Sequence, residues 1–250
     1  MYRTILYLFL LSSFIYSQER YVEINGQKWR IKTMGQGDVT VLFENGMSDS
    51  LETWRSIPDS IARFAKVFLY DRADIGKSDT ARLKRTIPNM VQELRMILKH
   101  ENIKPPYVLV GHSMGGVIDR YFTSEYPDEV VGLLLVEPSP ENMWDTMSEA
   151  DLKEWLEGGN KWYEEKFPER YRDEWYEFLP NLKYMKELKI PKDLPVILLS
   201  ITDYDLNIYE KKIIENLPNA KQIILEGSHH IHQDQPDSTI KYMKELLNKE

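Results

Sequence analysis

Cysteine is absent from all 250 residues. That excludes disulfides, a thiol nucleophile, a thiolate metal site and a lipidated-cysteine tether. Dense runs of lysine or arginine are also missing, and the formal net charge is -8. A polyanion needs a concentrated basic footprint, so nucleic acid is not an expected partner. The apolar stretch from Ile5 to about Ile15 falls well short of the roughly 20 residues a membrane-spanning helix requires, and no later segment does better. Internal repeats and low-complexity tracts are lacking as well.

What is present fits an ordinary globular chain, with a hydrophobic share of 42% and a charged share of 29%. The length suits one α/β domain with an insertion. The first residues, MYRTILYLFLLSSFIYSQER, combine Arg3, the apolar stretch and the small Ser17 ahead of polar Gln18. This is the grammar of a signal peptide over 1–17, which predicts an exported protein, periplasmic or extracellular, without a stable membrane anchor.

Tyr21 to Ile24 and Lys28 to Thr33 flank Asn25-Gly26, a pair suited to the positive φ angles of a tight hairpin turn. Short apolar runs then alternate with stretches of helical periodicity. The runs are Val39 to Phe43, Val67 to Tyr70, Tyr107 to Val110, Gly132 to Val136, Val196 to Leu199 and Ile223 to Leu225. Helical spacing appears in Glu52 to Phe64, Asn89 to Lys99, Met114 to Tyr126, Ile208 to Leu217 and Asp237 to Leu247. This alternation predicts an α/β fold with a doubly wound, mostly parallel sheet of about eight strands.

One segment breaks the rhythm. Ser139 to Asp193 separates the sixth and seventh strands by far more than a normal connection and is rich in Trp, Tyr and Phe. Its aromatics suit either the core of a small helical subdomain or the wall of a pocket over the sheet. The expected organisation is a core over 18–138, a helical lid over 139–193 and the rest of the core over 194–250.

The chemistry centres on Gly111 to Gly115, GHSMG. At the ~7% usage of glycine a GxSxG match arises by chance in roughly one chain in ten of this length, so the context decides. PYVLV is an apolar strand running into the motif and MGGVIDRYFTSEY a helix running out of it. This is the strand-turn-helix of a nucleophile elbow, with Ser113 exposed at a tight turn that bulky neighbours would obstruct. A serine hydroxyl needs a histidine to take its proton and a carboxylate to orient that histidine. His112 adjoins Ser113, but neighbouring residues on a turn point apart, which leaves it a packing role under the elbow. Candidate bases lie in EGSHHIHQDQP, where His229, His230 and His232 compete. A zinc reading of these three with Asp234 lacks helical i, i+4 spacing, so no metal is expected. For the acid, Asp203 and Asp205 follow the strand ending at Leu199, and spacing does not separate them. Glu137, at the end of the strand Gly132 to Val136, is a third candidate, though a structural carboxylate at the insertion hinge is its simpler reading.

These segments resemble the α/β-hydrolase superfamily, and especially its secreted bacterial branch of small serine hydrolases, from about Val39 to the C-terminus. FENGMSDSLETW resembles the oxyanion-loop segment, VFLYDRADIGKSD the next strand and loop, PPYVLVGHSMGG the elbow, YPDEVVGLLLVEP the following strand and SHHIHQDQP the histidine loop. The resemblance implies His229 as general base and an oxyanion hole formed by the backbone N–H groups of Met47 and Met114. It also implies ester hydrolysis of a small-molecule substrate through a Ser-His-Asp triad, with no cofactor. Thioesterase, lactonase and aminopeptidase activities share that triad. A ligand-binding protein that keeps the fold, or a protein that docks a partner through Trp144 to Phe178, would leave Ser113 unreactive. The chain departs from the family pattern at Asn45, where many members have histidine, at Asp74, where glycine is usual, and at Ser228, where glycine precedes the base.

Overall fold

The computed structural model describes residues 18–202 and 206–248. The leader expected over 1–17, together with Asp203 and Asp205, lies outside the described residues. The chain opens with a hairpin of β1 (Gln18–Ile24) and β2 (Gln27–Met34), turned at Asn25 and Gly26, whose φ angles are 54° and 74°. Both angles suit the twist of a two-residue hairpin turn.

Strands β3 (Thr40–Glu44), β4 (Lys66–Tyr70), β5 (Tyr107–His112), β6 (Val130–Val136), β7 (Val196–Ile201) and β8 (Ala220–Leu225) complete one eight-stranded sheet in the order β1-β2-β4-β3-β5-β6-β7-β8. β1 pairs antiparallel with β2 and β2 with β4, while all other pairs are parallel. The near-continuous apolar runs are explained by this placement. Every residue of β3, β5 and β7 is buried, because helices cover both faces of a parallel sheet.

Alternate residues of each strand feed two separate cores. Val41, Phe43, Val108, Val110, Leu134 and Val136 pack on one face with α1 (Ile57–Ile61) and α8 (Pro236–Leu246). Leu42, Leu109, Leu133 and Leu135 pack on the other with α2 (Ile87–His100) and α3 (Met114–Glu125). The segment between β6 and β7 is helical and holds α4 (Glu149–Lys166) and α5 (Arg172–Asn181). α6 (Leu206–Ile214) follows β7, and the short α7 (Ile231–Asp234) precedes α8. Among the described residues, no helix is long and apolar enough to cross a membrane.

Candidate active site

Ser113 occupies the turn between β5 and α3 with φ 53° and ψ -118°, outside the regions an L-residue ordinarily adopts. Strain of this kind persists only where the surroundings over-determine it. Here they do. The Ser113 N–H donates to Val136 O at 3.0 Å, and the Gly116 N–H donates back to Ser113 O at 3.0 Å. A Cβ at Gly115 would lie 2.3 Å from Glu44 O, and one at Gly111 would lie 2.6 Å from the Gly115 backbone. Both glycines of the motif are therefore needed for close approach of strand and helix. Met114 opens α3, so its N–H is one of the unpaired donors at a helix start.

Directly after β6 stands another non-glycine residue with positive φ, Glu137 at 45°. Its buried carboxylate is fixed at one oxygen, Oε1, which accepts from the Ile201 N–H at 2.7 Å. The other oxygen, Oε2, lies 3.5 Å from His229 Nδ1. His229 is half exposed and sits on the loop after β8. Asp203 and Asp205 lie outside the described residues, so the carboxylate brought to His229 among those described is Glu137, the candidate ranked last on sequence.

Ser113, Glu137, His229 and Met47 line one cavity of about 200 Å³, closed from the insertion side by Trp144, Trp155, Tyr163, Trp175 and Phe178. These aromatics also pack on one another, with Tyr163 and Trp175 stacked at 4.8 Å, so both roles foreseen for them are filled. A larger hollow of about 590 Å³ opens on the far side of Trp155, Tyr163 and Trp175, but Ser113, Glu137 and His229 are absent from its lining. Its lining by Ser113, Glu137 and His229, not its size, makes the smaller cavity the candidate site.

The loop that carries Met47 is held by a network that the sequence did not reveal. The buried Arg72 guanidinium donates to Glu44 Oε1 at 2.7 Å, to Glu174 at 2.6 and 2.9 Å, and to the carbonyls of Asn45 and Gly46 at 2.8 and 2.7 Å. Glu174, on α5, also accepts from the Ser48 N–H at 2.8 Å. Met47 is thus framed by loop residues tied to one arginine, and Tyr163 donates to its Sδ at 3.0 Å. Of the departures from the family pattern, Asn45 is buried and accepts from Trp54 Nε1 while donating to Tyr70 O. Asp74 tolerates the turn with φ 74° and accepts from the Ala81 N–H.

His112 lies beneath the elbow, fully buried, with Nε2 2.9 Å from the carbonyl oxygen of His229. Among the described residues, His229, His230, His232 and Asp234 do not converge as one ligand group. His232 turns inward to Thr53 Oγ1 at 3.3 Å, and Asp234 accepts from the Ser228 N–H and hydroxyl.

A second carboxyl, Glu210 of α6, is buried against the same cavity. Burial, then the nearby Glu137 charge, pushes its pKa up to about 8 against the pull of Ser200. The folded protein therefore keeps a proton that the unfolded chain, near 4.5, has already lost. Stability from this group is present in full below about pH 4.5 and is lost as pH rises through about 8. Glu210→Gln is expected to flatten that decline by about 2–4 kcal/mol between pH 5 and 8. Denaturant melts at both pH values would measure this, and identical slopes in the two proteins would mean that Glu210 is ionised throughout.

Comparison with known proteins agrees with this architecture. Residues 39–236 match the family model described as alpha/beta hydrolase fold. YqjL of Bacillus subtilis (strain 168) is 29% identical over 222 residues, covering 81% of either chain. Alpha/beta hydrolase domain-containing protein 10 from mouse superposes with a TM-score of 0.72 at 16% identity, over 92% of this chain and 98% of that one. Est816, described as an N-acyl homoserine lactone degrading enzyme, superposes at 0.68 with 17% identity, over 90% and 99%. At such identities the structural likeness is one of fold. The matched span runs from the start of the parallel sheet through the elbow to the histidine loop, and the chain belongs to the alpha/beta hydrolase family.

Proposed function

We propose that this protein is an exported serine hydrolase that cleaves an ester of a small or medium-sized substrate, with Ser113 as nucleophile, His229 as general base and Glu137 as the orienting acid. The observation that carries this reading is the joint placement of a strained, partly exposed serine and a histidine backed by a buried carboxylate on one aromatic-walled cavity. In this reading Ser113 Oγ attacks the ester carbonyl as its proton passes to His229 Nε2, and the Met47 and Met114 amides stabilise the oxyanion. His229 returns the proton to the departing alcohol, then draws one from water to release the acid. The 3.5 Å contact between His229 and Glu137 is long, as such bonds commonly are before substrate closes the site.

The insertion helices serve as the lid, and their aromatic wall suits an apolar acyl group. A protein that only binds a ligand would gain nothing from a nucleophile held in a strained backbone conformation. Incubation with a fluorophosphonate, followed by peptide mass mapping, is expected to give one adduct, on the peptide containing Ser113, at the rate at which ester turnover is lost. A protein that neither labels nor cleaves short and long nitrophenyl esters would overturn the hydrolase reading. Parallel assays on a thioester, a lactone and an aminoacyl amide fix the bond class.

A further inference from the structure

His112 stands between two acceptors. On one side its Nε2 meets the His229 carbonyl oxygen at 2.9 Å, and on the other its Nδ1 meets Asp49 Oδ2 at 3.6 Å. A neutral imidazole carries one N–H. The carbonyl can only accept, so that hydrogen lies on Nε2 and the Nδ1 lone pair faces a carboxylate. Nδ1 is fully buried and has no hydrogen-bond partner among the described residues. Two acceptors turned towards each other, one of them buried, leave a place for a cation between them.

A third donor converges on the same point. His230 Nε2 lies 3.6 Å from the same Asp49 oxygen, and one ligand atom from each of Asp49, His112 and His230 falls within 4.8 Å of the others. Gly46 keeps the space clear, since a Cβ there would lie 2.7 Å from His112 Nδ1 and 2.9 Å from Asp49 Oδ2. Its φ is not in the left-handed region, so room rather than backbone freedom explains this glycine. We propose that Asp49, His112 and His230 form a binding site for one divalent transition-metal ion of the Zn²⁺ class, behind the loop that carries His229.

The donor set, two imidazole nitrogens and one carboxylate oxygen, suits zinc and its neighbours and not calcium or magnesium. Metal–ligand bonds of about 2.0–2.1 Å in a tetrahedron put ligand atoms about 3.4 Å apart, close to the 3.6 Å between Asp49 Oδ2 and each histidine nitrogen, while the two histidine nitrogens lie within 4.8 Å of each other. Asp49 and His230 are partly exposed, which gives an ion an entry path and leaves the fourth position to water. The outer shell is also in place. His112 donates its other ring N–H to a backbone carbonyl, as metal-bound histidines generally do, and Thr53 Oγ1 reaches Asp49 Oδ2 at 3.4 Å. Because the carbonyl that His112 holds belongs to His229, a bound ion would brace the backbone of that loop without touching the reacting atoms.

The chelator-stripped protein, titrated with Co²⁺ alone, is expected to bind one equivalent with the visible absorption of a four-coordinate site, and Zn²⁺ is expected to displace it. Zn²⁺ at a hundredfold excess over its Kd should raise the melting temperature by about 5–10 °C. Asp49→Asn and His230→Gln, at partly exposed positions that spare the core, should each weaken Co²⁺ binding by at least about tenfold. His100→Gln, which removes an exposed histidine on α2, should leave it unchanged. Binding below one equivalent, or equal affinity in either ligand variant, would overturn the site whatever the esterase assays show.

Discussion

Glu137→Gln is expected to lower kcat on a nitrophenyl ester by about 10³–10⁴-fold while leaving the fold intact. The substitution is nearly isosteric, and the amide oxygen still accepts the Ile201 N–H that Glu137 Oε1 accepts at 2.7 Å. What changes is the group facing His229 Nδ1. Glu137 Oε2 only accepts, so Nδ1 carries the hydrogen and Nε2 is left as a lone pair able to take a proton from serine. A glutamine NH₂ placed there donates, the imidazole turns to the other tautomer, and Nε2 then presents a hydrogen where a base is needed. The carboxylate's stabilisation of the imidazolium is lost in the same step. The measurement is kcat and KM for the wild type and variant, with circular dichroism and melting curves to verify the fold. Should Glu137→Gln retain turnover while Asp203→Asn or Asp205→Asn abolishes it, the acid belongs to the loop after β7.

Arg72→Met is expected to destabilise the protein by about 3–5 kcal/mol, because it strands two buried carboxylates, Glu44 and Glu174, that face the guanidinium. Burial already pushes the Glu44 pKa up against the attraction of Arg72, so without the cation this group would take up a proton on folding. For a chain of this length such a loss corresponds to a melting point lower by about 10 °C. The Asn45 and Gly46 carbonyls also lose their donor, which frees the loop carrying Met47 and should lower kcat as well as stability. Adding Glu174→Gln to Arg72→Met should recover part of the stability, since one stranded charge is gone. A loss below about 1 kcal/mol in Arg72→Met would show that the network is solvated and not a buried clamp.

The strand order and elbow were readable because their physics is local. Apolar runs bounded by turn residues mark buried strands, and the glycines at 111 and 115 answer to contacts within a dozen residues or with the adjacent strand. Glu52 to Phe64 reads as one helix by periodicity but divides into a 3-10 turn at Leu51–Trp54 and the short α1, because Arg55 takes a φ of 48° between them. The carboxylate beside His229 was harder to foresee. The tips of β6 and β7 both flank the histidine loop, and a linear sequence carries neither the sheet register nor the side-chain direction that brings Glu137 to His229. Arg72 was illegible for another reason. It stands in a recognisable DRADIG segment, yet its partners lie 28 and 102 residues away, one on an inserted helix. The cluster of Asp49, His112 and His230 escaped for the same cause, since it joins the end of β5 to two loops that no local pattern links.

Ser113 and Glu137 stand at the ends of neighbouring parallel strands, with His112 opposite Val136 in the register and the Ser113 amide bonded to the Val136 carbonyl. Ser113 and Glu137 are therefore rungs of one ladder, and their separation is as invariant as the pitch of the sheet. Only the histidine arrives from elsewhere. A chain built this way can lengthen, shorten or rewrite the connection after β7 without disturbing the carboxylate beside His229, so that stretch is free to diverge while the pair of strand ends stays fixed.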